Sequence, residues 1–98
     1  MVVVDVREPS EIQATKKVVA DAINVPLGQV VAAFNSLDDA DFASKFSGKR
    51  PAKDDTIVFA CARGMRSRSA CDAVESFGYT DVINFADGAN GLSESLRR

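Results

Sequence analysis

Residues Cys61 to Ser67, CARGMRS, put a thiol, a glycine and two guanidinium groups into seven positions. A thiolate is a strong nucleophile, and its formation is what such surroundings control. A free thiol has a pKa of about 8.5, lowered by one to several units at a helix N-terminus beside arginines. Arg63, Arg66 and Arg68 lie within six residues, and no acidic residue occurs between Asp55 and Asp72. Cys61 is therefore expected to be substantially thiolate at neutral pH. Gly64 can take backbone angles closed to other residues and lets loop N–H groups point inward as an anion nest, so Ala62, Gly64, Met65 and Ser67 join Arg63 and Arg66 as candidate substrate-binding residues. Such a loop could hold a phosphate, an arsenate or one sulfur atom.

The composition limits what else the chain can do. Its 98 residues suit one domain, 1–98, with 46% hydrophobic and 27% charged residues. A net charge of -2 and a pI near 5.0 argue against nucleic-acid partners and anionic membrane surfaces, which call for a basic excess. Two cysteines make no disulfide framework. With no histidine there is no plausible zinc ligand set and no Ser-His or Cys-His pair, so cations and backbone N–H groups must activate any nucleophile. No cofactor is expected. The opening MVVVDVREP has too short an apolar run for a signal peptide or a membrane span. A reducing, cytoplasmic setting is expected, or an organelle after removal of a transit peptide.

The elements that must position the loop follow from periodicity. Val2 to Val6 reads as a strand buried on both faces, and Pro9 to Ala14 as a short helix with proline in its first turn. Ala22 to Val25 is a second strand. Leu27, Val30, Val31 and Phe34 give an amphipathic helix over 27–34. A helix from Leu37 to Phe46 follows, with Ser36 as N-cap, Asp39 at the reciprocal position and Gly48 as its end. Lys49 to Asp55 is a surface connection, and Thr56 to Ala60 is a strand that runs directly into Cys61. Ala70, Ala73, Val74 and Phe77 mark a helix stopped at Gly78. Val82 to Phe85 is the last strand and Gly88 to Leu96 a terminal helix. Alternating strands and helices imply an α/β fold, a parallel sheet with helices on both faces. Cys71, beside Ala70 and Val74, is expected to be packing, and Arg97 and Arg98 a solvated tail.

Cys61-Ala62-Arg63-Gly64-Met65-Arg66-Ser67 resembles the C-x-x-G-x-R-S loop of single-domain rhodaneses, the thiosulfate sulfurtransferases. Val4-Asp5-Val6-Arg7-Glu8-Pro9 with Glu11, Ala22 to Leu27, and Phe77-Gly78-Tyr79 through Asp87-Gly88 match that family in order and spacing. The resemblance implies a three-layer rhodanese-like fold and a two-step reaction. In it Cys61 takes sulfur from thiosulfate, or another persulfide donor, and passes it to cyanide or a thiol, with glutathione and thioredoxin among the acceptors. Arg66 and the N–H groups would stabilise the persulfide and the departing sulfite, and Arg63, nearer the rim, would attract the donor.

The loop length separates the chemistries. Phosphatases and arsenate reductases of this fold resemble C-x5-R, whereas Cys61 to Arg66 is C-x4-R and Ser67 stands where their arginine would be. That activity is the lesser enzyme reading. A persulfide carrier or partner-binding module with little turnover is the competing one. The chain departs from the family at Lys17-Val18-Val19, where Gly-His-Ile is usual, and at Asp87 and Leu92 in the closing segment. It also begins at a strand that another strand and helix usually precede, so a shortened form is expected. In Asp5-Val6-Arg7-Glu8, residues that could contact substrate, a fixed pair between the arginine and a carboxylate that pins the loops is the favoured expectation.

Overall fold

The structure, a computed structural model, describes residues 1–15, 21–62 and 64–85, with the side chain of Thr15 excepted. Among these, strands β1 (Val2–Asp5), β2 (Ile23–Asn24), β3 (Ile57–Ala60) and β4 (Val82–Asn84) form one parallel sheet in the order β2-β1-β3-β4. Helices α1 (Pro9–Thr15), α2 (Leu27–Val31), α3 (Asp39–Phe46) and α4 (Met65–Glu75) alternate with them. The expected helix at 88–96 lies outside the described residues, as do Lys17-Val18-Val19, Asp87, Leu92, Arg97 and Arg98.

Valine-rich and aromatic strands sort their side chains by alternation. Val4, Val6, Ile57 and Phe59 face one cluster with Val30, Phe34, Phe42, Ala70 and Val74 from the helices. Phe34 is its hub, meeting Phe42, Phe59 and Tyr79 edge-on at 5.6, 5.9 and 5.5 Å between ring centres. Val3, Val58 and Ala60 face the other way, joined by Ala22 and Phe85. The right-handed crossover rule puts α1, which leads from β1 outward to β2, on that second face. No helix among the described residues is long and apolar enough to cross a membrane.

Three local features differ from expectation. The helix over 27–34 passes at Ala32 into a π-helical turn that runs to Ser36, so Ser36 is already committed to helix. Leu37 is extended, and the next helix starts at Asp39 with Asp38 as its cap, accepting the Asp41 N–H at 2.8 Å. Ser36 is thus not the N-cap. At the other end Ser47, not Gly48, takes the left-handed position, with φ 58. Gly48 serves a different need: a Cβ there would come within 2.9 Å of Ile23 Cδ1. Gly78 does close α4 at φ 97, its N–H bonding to the Glu75 carbonyl.

The strand order places the site. From β1 the chain moves outward to β2, then crosses back over β1 to β3 and on to β4. The direction reverses between β1 and β3, and at such a switch point the loops beyond the strand ends diverge and leave a crevice. Arg7 and Cys61 stand just beyond those two strand ends.

Candidate active site

Cys61 follows β3 directly, and Gly64, at φ 83, turns the chain into α4. The first N–H groups of a helix have no partner within it. Here no described side chain caps α4. Instead the Gly64 N–H donates to Cys61 Sγ at 3.0 Å and the Ser67 N–H at 3.4 Å. Ser67 Oγ lies 3.5 Å from the same sulfur. Cys61 is only 1% exposed, at the base of a cavity of about 500 Å³ that Glu11, Ala62, Met65 and Arg66 also line. Met65, 76% exposed, gives the mouth an apolar flank.

Among the described residues Arg66 is the cation on this cavity wall, and a carboxylate holds it. Its Nη1 and Nη2 donate to Glu11 Oε1 and Oε2 at 2.5 and 2.8 Å, a bidentate pair across α4 and α1. Glu11 Oε1 also accepts the Glu8 N–H at 3.0 Å, a reciprocal cap for α1. The hydrogen bonds from Arg66, then that of the Glu8 N–H, hold the Glu11 carboxyl down at about 2. The Arg66 guanidinium is raised in turn, chiefly by Glu11 and in smaller part by charge at Cys61.

A lowered carboxyl makes a stability prediction with a fixed sign. The contribution of Glu11 is present above its unfolded value near 4.5 and is lost as pH falls toward about 2. Both partners are about one-third exposed, so screening limits the pair to no more than about 1 kcal/mol. Glu11→Gln should therefore lower the urea midpoint slightly at pH 7, and the gap to the native chain should close by about pH 2.

Behind the loop, a buried ion pair fixes the end of β1. Arg7 Nη2 donates to Asp5 Oδ2 at 2.7 Å and Arg7 Nε to Asp5 Oδ1 at 3.0 Å, while the Arg7 N–H reaches Oδ1 at 3.0 Å. Asn24 Nδ2 donates to the carbonyls of Asp5 and Arg7 at 2.9 and 2.8 Å. The ion pair closes within the segment that ends β1, and Asn24 ties that segment to β2. Cys71 is buried in the core, and burial, with lesser pushes from Glu75 and Asp72, drives its thiol up to about 11. Neither cysteine forms a disulfide.

The structure thus brings Cys61, Ala62, Gly64, Met65, Arg66 and Ser67 together, and Arg63 lies outside the described residues. Two neighbours have no site role in the sequence reading. Glu11 stands 55 residues from Arg66, and its only local signal is a carboxylate in a first helical turn. Asn84 ends β4 and meets Ser67 Oγ through its Oδ1. A polar residue inside an otherwise apolar strand is the signal that marks it.

The rhodanese-like domain model matches residues 1–95. A mouse thiosulfate sulfurtransferase/rhodanese-like domain-containing protein 3 is 34% identical over 88 residues, covering 90% of this chain and 55% of its own length. The chain thus spans about half the length of that relative. A human thiosulfate:glutathione sulfurtransferase is 31% identical over 83 residues, 84% of this chain and 70% of that one. Among solved structures, a human single-domain sulfurtransferase superposes with a TM-score of 0.82 at 28% identity, covering 95% of this chain and 81% of that one.

Proposed function

The chain belongs to the rhodanese-like domain family, and from that premise we propose that it is a thiosulfate sulfurtransferase that carries sulfur on Cys61. The observation that supports this most directly is the pair of backbone N–H groups, Gly64 and Ser67, converging on one sulfur at a helix start. Donors so placed favour a charged sulfur without needing a histidine.

The proposed reaction has two displacements. The Cys61 thiolate attacks the outer sulfur of thiosulfate; the S–S bond of the donor breaks and its electron pair leaves with sulfite. Cys61 then carries a persulfide anion. A nucleophilic acceptor attacks the terminal sulfur, the new S–S bond breaks, and the Cys61 thiolate is restored. With cyanide the product is thiocyanate, and with a thiol it is a new persulfide. Glutathione is the proposed thiol, in keeping with the name of the human relative. The N–H groups of Gly64 and Ser67 stay on the inner sulfur throughout. Arg66, held on the cavity wall by Glu11, supplies positive charge beside the departing sulfite. Arg63 is proposed to draw the dianionic donor to the rim. Because the nucleophile must remain reduced, a reducing compartment such as the cytoplasm is part of the proposal.

Intact-mass measurement tests it. After incubation with thiosulfate the chain should gain the mass of one sulfur atom, mapped to Cys61 and removed by cyanide. Absence of that adduct with thiosulfate and with persulfide donors would rule the proposal out.

A further inference from the structure

Ser67 has one hydroxyl proton and two neighbours that want it. Its oxygen is 3.5 Å from Cys61 Sγ on one side and hydrogen-bonded to Asn84 Oδ1 on the other. Cys61 and Ser67 are buried and Asn84 is half-buried. The strand register explains how Asn84 gets there: it pairs with Phe59, two residues before Cys61, on the face that α4 covers.

With the Asn84 oxygen toward Ser67, the hydroxyl donates to the amide and turns lone pairs to the sulfur. That arrangement suits a thiol, which can donate, and repels a thiolate or persulfide anion. Half a turn of the carboxamide exchanges oxygen for nitrogen. The amide then donates to Ser67 Oγ, the hydroxyl proton points at the sulfur, and the anion gains a donor besides the N–H groups of Gly64 and Ser67. Among the neutral side chains, an amide offers both an acceptor end and a donor end within one planar group.

We infer that Asn84 is a positioning residue for Cys61: acting through Ser67, its carboxamide lets one hydroxyl serve the protonated sulfur as acceptor and the anionic sulfur as donor. The inference rests on Cys61 being the reacting group, yet it can be tested without sulfur transfer. Aspartate at 84 can only accept, so it locks the hydroxyl away from the sulfur.

The measurement is the rate of Cys61 carbamidomethylation by iodoacetamide against pH, read by peptide mass, for wild type, Asn84→Asp, Ser67→Ala and the double variant. With Ser67 present, Asn84→Asp should raise the midpoint by about one pH unit, the scale of one charge-assisted hydrogen bond. On the Ser67→Ala background less than half of that shift should remain. The described charged groups gathered at this end of the sheet, Arg66 of α4, Glu11 of α1 and the Asp5–Arg7 pair at the end of β1, are common to both backgrounds and cancel, as does every other charge the variants leave in place. A shift retained by half or more without Ser67 would mean that the new carboxylate acts through space, which overturns the inference. No shift with Ser67 present overturns it equally. If the aspartate variants do not fold, Asn84→Leu in the same two backgrounds decides: a shift of about half a unit with Ser67 and none without it is expected, and any other pattern counts against Asn84. Failure of the persulfide mass test alone would leave these midpoints interpretable, so the two ideas fail separately.

Discussion

Cys61→Ser should lower thiocyanate formation from thiosulfate and cyanide by at least about a thousandfold, the scale seen when a covalent nucleophile is removed. Serine preserves size and can still accept the two N–H groups, so the loss isolates nucleophilicity. A serine hydroxyl needs a base to become reactive, and the chain has no histidine to provide one. Cys71→Ala is the matching control. Its thiol is buried, is driven up to about 11 and packs in the core, so its removal should cost about 1 kcal/mol of stability and leave turnover intact. Steady-state rates of the two variants, with folding checked by circular dichroism, settle the comparison. Equal losses in both would remove Cys61 from its proposed place.

Arg7→Met should cost about 3–5 kcal/mol, the penalty for breaking a buried ion pair by deleting one partner. For a domain near 100 residues that is a fall of at least about 12 °C in Tm. Asp5 and Arg7 side chains are only 2% and 4% exposed, so water cannot replace the lost guanidinium without opening the end of β1. The double change Asp5→Leu, Arg7→Met removes both charges and should recover a substantial part of the loss, because the hydrophobic pair carries no desolvation penalty. Thermal melts of the native chain and the two variants check this. A single variant that melts with the native chain would show that the pair contributes nothing to the fold.

The parts of the molecule legible in the sequence are those whose signals are local. β-branched runs give the strands, and spacing of Ala70, Ala73, Val74 and Phe77 gives α4. The cysteine at a strand end with glycine three residues on locates the loop. What is not legible depends on competition between adjacent candidates or on distance. Ser36, Asp38 and Asp39 could each cap a helix, and the π-helical turn that consumes Ser36 decides between them. Ser47 takes the left-handed angles, and Gly48 is instead set against Ile23, a contact between residues far apart in the chain. Glu11 and Asn84 reach the loop from α1 and β4, and no periodicity within either segment announces a partner 55 or 17 residues away.

One arrangement at the loop has a thermodynamic reach beyond reactivity. No described side-chain oxygen caps α4, and Cys61 Sγ accepts the Ser67 N–H that such an oxygen would satisfy, together with the Gly64 N–H beside it. The atom proposed to react is therefore also part of the start of the helix. Any group that alters the charge on that sulfur alters the free energy of folding by the same amount that folding alters its affinity for the group. On the proposed chemistry melting temperature then becomes a gauge of cargo: the loaded and unloaded chains would be two proteins of different stability, told apart by heat alone.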